Sequence, residues 1–159
     1  MNLPSEQLAR LQHLAEAVSS TTVHLQATDR GVFAQPFTVS RASGLDDDAA
    51  LAERVDAFVA RFSRLQDLLG DKLLPALLVA LGEPARLMVD NLDHAERMGW
   101  ITNPDDWMRV RRLRNQMVHD YIKDPAVLAD ALQRAHDFVP TLAAVSAALI
   151  AELHHRGLA

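Results

Sequence analysis

Residues 114–121 read Arg-Asn-Gln-Met-Val-His-Asp-Tyr. Arginine brings planar, permanently charged donors that match a phosphate. Histidine takes and gives protons in the physiological range. Asn115 adds an amide able to orient a ring or a phosphate oxygen, and Tyr121 adds a phenol. Metal-independent RNA cleavage needs such a set: a base for the ribose 2′-hydroxyl, an acid for the leaving 5′-oxygen, and a cation where charge builds on phosphorus. It would leave a 2′,3′-cyclic phosphate, or the 3′-phosphate from its hydrolysis. The catalytic candidates are therefore Arg114, His119 and Asn115. Arg111 and Arg112 are candidate phosphate contacts, in a run (Arg109, Arg111, Arg112, Arg114) that places four cations within six residues.

The octet must sit on a helix. Asn103-Pro104-Asp105-Asp106 is a strong start signal, with a cap, a proline in the first turn and two acids, and the motif helix is expected at about 104–122. On an ideal wheel Trp107, Val110, Leu113, Met117, Val118 and Tyr121 share one apolar arc, at roughly 100° per residue. Arg114 falls inside that arc. It must snorkel out or find a charged partner, because an unpaired buried guanidinium is costly. Asn115 and His119 share the opposite face. Arg114 and His119 thus stand roughly 140° apart on an ideal helix. They meet only if Arg114 wraps round, if the helix loosens before Asp124, or if a second subunit completes the site. Two facing copies would give a cleft with two arginines and two histidines.

The rest of the chain reads as helix. Ser5 is expected to cap a first helix carrying Leu8, Leu11, Leu14 and Val18 at helical spacing, frayed at Ser19-Ser20-Thr21-Thr22. Residues 28–46 read as an ordered loop with a short extended piece. Asp46 or Asp47 is expected to cap the next helix. There Leu51, Val55, Phe58, Phe62, Leu65 and Leu69 form a stripe for a neighbouring helix or a partner subunit. The apolar phase shifts after Gly70 through Leu73, Leu77 and Leu81, with a bend expected at Gly70 or Pro75. Gly82 ends that helix. Another is expected from Pro84 to Gly99, with Trp100 and Ile101 fixing the turn. Asp124-Pro125 opens a last helix reaching His154 or His155, bent at Pro140. The expected architecture is a single all-α domain over 1–159, an up-and-down bundle of four to five helices. Residues 1–45 form its N-terminal helix and long loop, and 46–155 its core.

Composition narrows the function classes. With 159 residues and 49% hydrophobic side chains, the chain can bury one sizeable core. It has no cysteine, so thiolate chemistry, disulfides and cysteine zinc sites are excluded, which fits a cytoplasmic setting. The acid-bearing opening stretch has no signal-peptide core. No unbroken apolar run approaches the ~18 residues of a membrane span, and Val139–Leu153 is interrupted by Pro140 and Thr141. A net charge of −5 argues against a general nucleic-acid coat but leaves room for a local site. The seven histidines form no H-E-x-x-H motif, so no metal is expected. P-loop, Rossmann and esterase motifs are missing, and no cofactor is expected.

The octet resembles the R-x4-H-x-Y signature of the HEPN superfamily, in particular the HepT-like toxins paired with a small (MNT-type) nucleotidyltransferase antitoxin. The resemblance covers the octet and its setting, late in a small all-helical domain. Residues 1–45 have no counterpart in the minimal family pattern. The resemblance implies a homodimer with the motif at the subunit interface and an RNA substrate. Arg114 and His119 take the roles of the family's arginine and histidine, and Asn115 that of the polar residue between them. It also implies that the cognate nucleotidyltransferase adds AMP to Tyr121 and so silences the nuclease. Tyr121 is the sole tyrosine, and a bulky anion two residues from His119 would repel a phosphate.

Plainer readings stand beside these. His119 could be a helix-end histidine complementing the dipole. Arg111 and Arg112 could be a solvated face, Tyr121 a phenol at the core edge, and Trp100 and Trp107 packing residues. Three functions follow: a ribonuclease toxin, a non-catalytic binding subunit for a nucleotidyltransferase, or a plain dimerising bundle.

Overall fold

The computed structural model describes residues 2–84, 86–119 and 122–159, and among them none lies in a strand. The protein is all-α. Helix α1 spans Ser5–Val32, α2 Val39–Ser43, α3 Ala49–Asp67, α4 Leu74–Ala80, α5 Met88–Arg97, α6 Pro104–His119 and α7 Pro125–His155. A π-turn, Leu68–Leu73, joins α3 to α4 without a break, so the described residues form six helical spans. α1 lies along α3 and α7, α6 lies on α3, and α5 bridges α4 and α6.

The α3 stripe is buried at Val55, Phe58, Phe62, Leu65 and Leu69, and its neighbours are α1 and α6 of the same chain. After Gly70 the buried set moves to Leu73 and Leu77. The cause is the π-turn, which takes more residues per turn and so rotates everything that follows. Pro75 belongs to the same solution. It has no N–H to give, and its ring would press on the carbonyl four residues back, so a widened turn suits it. Gly70 is required there: a Cβ on it would lie 2.8 Å from Trp107 Nε1 on α6.

Helix ends follow local chemistry. α4 closes on Gly82 at φ 85°, with Glu83 N–H donating to the Leu78 carbonyl and Gly82 N–H to that of Val79. α5 closes in the same way on Gly99 at φ 77°, with Trp100 N–H donating to the Ala95 carbonyl. Both are the paired bonds of a Schellman turn, which needs a left-handed residue. Asn103 Oδ1 accepts from Asp105 N–H at 2.9 Å, and Asp124 Oδ1 from Ala126 N–H at 2.8 Å. The two long helices beside the octet thus start where the sequence indicates.

Several expectations are corrected. α1 does not fray at its Ser/Thr run but continues to Val32. Thr21 is buried, and the Thr22 hydroxyl donates back to the Val18 carbonyl at 2.7 Å and so is satisfied inside the helix. Pro4, not Ser5, holds the N-cap. Residues 28–46 are not a loop with an extended piece. They contain the end of α1, all of α2 and a 3-10 turn at Leu45–Asp47. That turn consumes Asp46 and Asp47, so the cap of α3 is Asp48, whose side chain accepts from Leu51 N–H at 3.0 Å. α5 opens at Met88, not at Pro84, after an extended Leu87. α7 has the reach that the sequence indicates, one helix from Pro125 to His155 with Pro140 inside it. One window of α7 reaches a mean hydropathy of 1.3, apolar enough to cross a membrane by length and composition, contrary to the reading of the sequence alone. In the fold its apolar face, including Leu132, Val139, Leu142, Leu149 and Leu153, is buried in the core.

Candidate functional site

The site is built on the last turns of α6 and the end of α3. Trp107, Val110 and Leu113 bury one face of α6 in the core. Met117 is half-buried and Val118 is 44% exposed, so the apolar arc opens towards the helix end. Arg114 starts on the core side and its side chain is only 19% exposed. Its guanidinium finds the charged partner that its position demands. Nη2 donates to Asp67 Oδ2 at 2.8 Å, across from α3.

The other edge turns outward. Nη1 of Arg114 lies 2.9 Å from His119 Nε2 and donates to Asn115 Oδ1 at 3.2 Å. Of the three ways in which Arg114 and His119 could meet, the chain uses the first: Arg114 wraps round the helix. Neither a second subunit nor a loosened helix is needed for the contact, because α6 stays helical to His119. Guanidinium can only donate, so His119 Nε2 accepts and the ring carries its proton on Nδ1. The three catalytic candidates form one hydrogen-bonded group within a single chain.

Compared with family models, curated proteins and solved structures, the chain matches none.

The phosphate candidates divide. Arg111 is ion-paired to Asp71 at 2.9 Å, one turn along from Asp67. Arg109 is paired within its own helix to Asp106 at 2.6 Å. Arg112 is exposed and has no ion pair or hydrogen bond among the described residues. The cationic run is thus largely matched by carboxylates. Tyr121, the expected modification target, lies outside the described residues.

Asp67 is the residue that sequence reasoning missed. Arg114 in an apolar arc signals that a carboxylate must exist, but 47 positions separate the two, and no local pattern points to Asp67. Asp67, just before the π-turn, and Asp71, within it, meet Arg114 and Arg111 in antiparallel order. Beside the end of α6, α3 and the start of α7 frame an open groove of about 450 Å³, lined by Val55, Val59, Met117, Val118, Ile122 and Leu128. It is an apolar neighbour of the polar group and supplies nothing to hold a phosphate.

Among the described residues no group of three histidine, aspartate or glutamate side chains comes together to hold a metal ion. A second histidine contact lies elsewhere. His136 Nδ1 meets Asp29 Oδ1 at 2.7 Å, and its ring stacks on Phe33 at 4.4 Å between centroids. This contact ties α7 to α1.

Proposed function

We propose that the chain is a HEPN-like, metal-independent endoribonuclease of the HepT-like toxin class, acting as a homodimer. The observation that carries this reading is the 2.9 Å contact between Arg114 Nη1 and His119 Nε2, on an exposed histidine with Asn115 alongside. It pairs an anion receptor with a proton acceptor. A phosphodiester that takes Nη1 frees the Nε2 lone pair for the 2′-hydroxyl proton, and the guanidinium stabilises the charge that builds on phosphorus. Cleavage by 2′-attack also needs an acid for the 5′-oxygen. Each chain brings one His119, so a second copy supplies the other. The apolar groove and the exposed Val118 beside the motif support docking of that copy on this face. Arg112 is the phosphate contact left open, with Arg111 held back by Asp71.

In this reading the site is cytoplasmic and is restrained by an MNT-type nucleotidyltransferase that adenylylates Tyr121. A second reading is a non-catalytic HEPN-like binding subunit for such a nucleotidyltransferase. It is favoured by one fact: Arg109, Arg111 and Arg114 already have carboxylate partners, in a chain of net charge −5. Expression in a bacterial host separates the two. The nuclease arrests growth, and His119→Ala relieves the arrest. Unchanged growth with the wild-type chain, and nucleotidyltransferase binding without RNA cleavage, would favour the binding subunit.

A further inference from the structure

Arg114 has two faces of demand. Its Cα is on the core side of α6, while His119 stands well round the helix. A guanidinium on a flexible stem has many directions open to it, and most of them miss His119. Asp67 removes that freedom. It holds Nη2 at 2.8 Å from a carboxylate that is only 34% exposed, so the opposite edge faces Asn115 and His119. Planarity does the rest, because fixing one nitrogen of the fork fixes the direction of the other.

Asp67 is itself well anchored. It is the last residue of α3, immediately before the π-turn. That turn is seated against α6 by the close approach of Gly70 to Trp107. It is tied a second time by Asp71 to Arg111. Gln66, the preceding residue, is 1% exposed, so the backbone that carries Asp67 is held on its core side. π-Turns recur beside functional groups because they re-aim side chains without ending the helix. Here the carboxylate aimed at α6 reaches the arginine that touches His119.

We propose that Asp67 is the positioning residue of this site: its carboxylate orients Arg114 so that Nη1 meets His119 Nε2, and thereby selects the His119 tautomer with a bare Nε2. The proposal deepens the nuclease reading and rests on it for its consequence in catalysis. Asp67 touches neither substrate nor reacting atoms and acts through Arg114.

The test uses the full-length, ¹⁵N-labelled chain. Long-range ¹H–¹⁵N spectra report which ring nitrogen of His119 carries the proton, with its signals assigned by their loss in His119→Gln. In the wild type, the Nδ1–H form is expected. In Asp67→Ala, and in the isosteric Asp67→Asn, the ring should move to the Nε2–H form that imidazole favours in water, and Asp67→Glu should restore the wild-type pattern. On an RNA substrate, kcat should fall on the order of 10²-fold in Asp67→Asn, the scale of a misplaced catalytic group, with a smaller change in KM. An inactive wild type whose His119 tautomer still follows residue 67 sinks the nuclease reading and keeps the positioning role. A tautomer and a kcat that stay unchanged in Asp67→Asn overturn the positioning role, whether or not the wild type cleaves RNA.

Discussion

Gly70 and Trp107 approach so closely that a Cβ on Gly70 would lie 2.8 Å from Trp107 Nε1 and 3.0 Å from Cζ2. The indole is 2% exposed. This contact seats the π-turn on α6, and with it the two carboxylates that meet Arg111 and Arg114. Gly70→Ala therefore overpacks the joint. Better helix propensity returns up to ~1 kcal/mol, and overpacking costs about 1–3 kcal/mol. The expected result is a net loss of about 1 kcal/mol in denaturant unfolding, with m unchanged. A stabilised Gly70→Ala protein would contradict the seating.

The seating also shows where sequence reading succeeds and where it stops. Asn103-Pro104, Asp124-Pro125, Gly82 and Gly99 mark helix ends correctly because caps and left-handed turns are set by residues a few positions apart. The α3 stripe and the buried Trp107, Val110 and Leu113 are legible for the same reason, since periodicity is local. Thr22 misleads. Its composition suggests fraying, but its hydroxyl bonds back to Val18 and reaches Ser146 at 3.1 Å, and only the packed α7 reveals the second partner. Asp67 is illegible because its partner is distant in sequence. The wheel shows that Arg114 needs a carboxylate, but not which one. It also treats Arg114 and His119 as points on a cylinder, whereas an arginine side chain is long enough to bridge the arc between them.

Arg114→Lys tests the fork. A lysine keeps one charge near Asp67 but offers a single nitrogen, which cannot hold Asp67, Asn115 and His119 in fixed directions together. The fold should survive with little change in the unfolding midpoint. RNA cleavage should drop on the order of 10²-fold, as for other misoriented groups. A lysine variant with wild-type cleavage would show that charge alone suffices.

Arg112→Ala tests the open phosphate contact. Arg112 has no carboxylate partner among the described residues, whereas Arg111 is engaged by Asp71. Loss of Arg112 should weaken RNA binding and flatten the plot of log K against log salt by about 0.7, the increment for one phosphate on a single strand. Equal slopes for wild type and variant, measured by fluorescence titration across a salt series, would remove Arg112 from the RNA path.

Asp48→Ala separates stability from chemistry. The Asp48 side chain caps α3 through Leu51 N–H at 3.0 Å and is remote in sequence from the octet. Its loss should cost about 1 kcal/mol of unfolding free energy. RNA cleavage by the folded protein should be unaffected. A loss of cleavage without a loss of stability would place Asp48 in a role that its capping bond does not explain.

In the proposed function, Arg114 and His119 cleave RNA without a metal. The purified protein is incubated with end-labelled RNA in excess chelator, and the new ends are identified. The expected cleavage persists in chelator, leaves 2′,3′-cyclic phosphate or 3′-phosphate ends, and disappears in His119→Ala. Cleavage that needs added divalent metal, or that continues in His119→Ala at the wild-type rate, would contradict it.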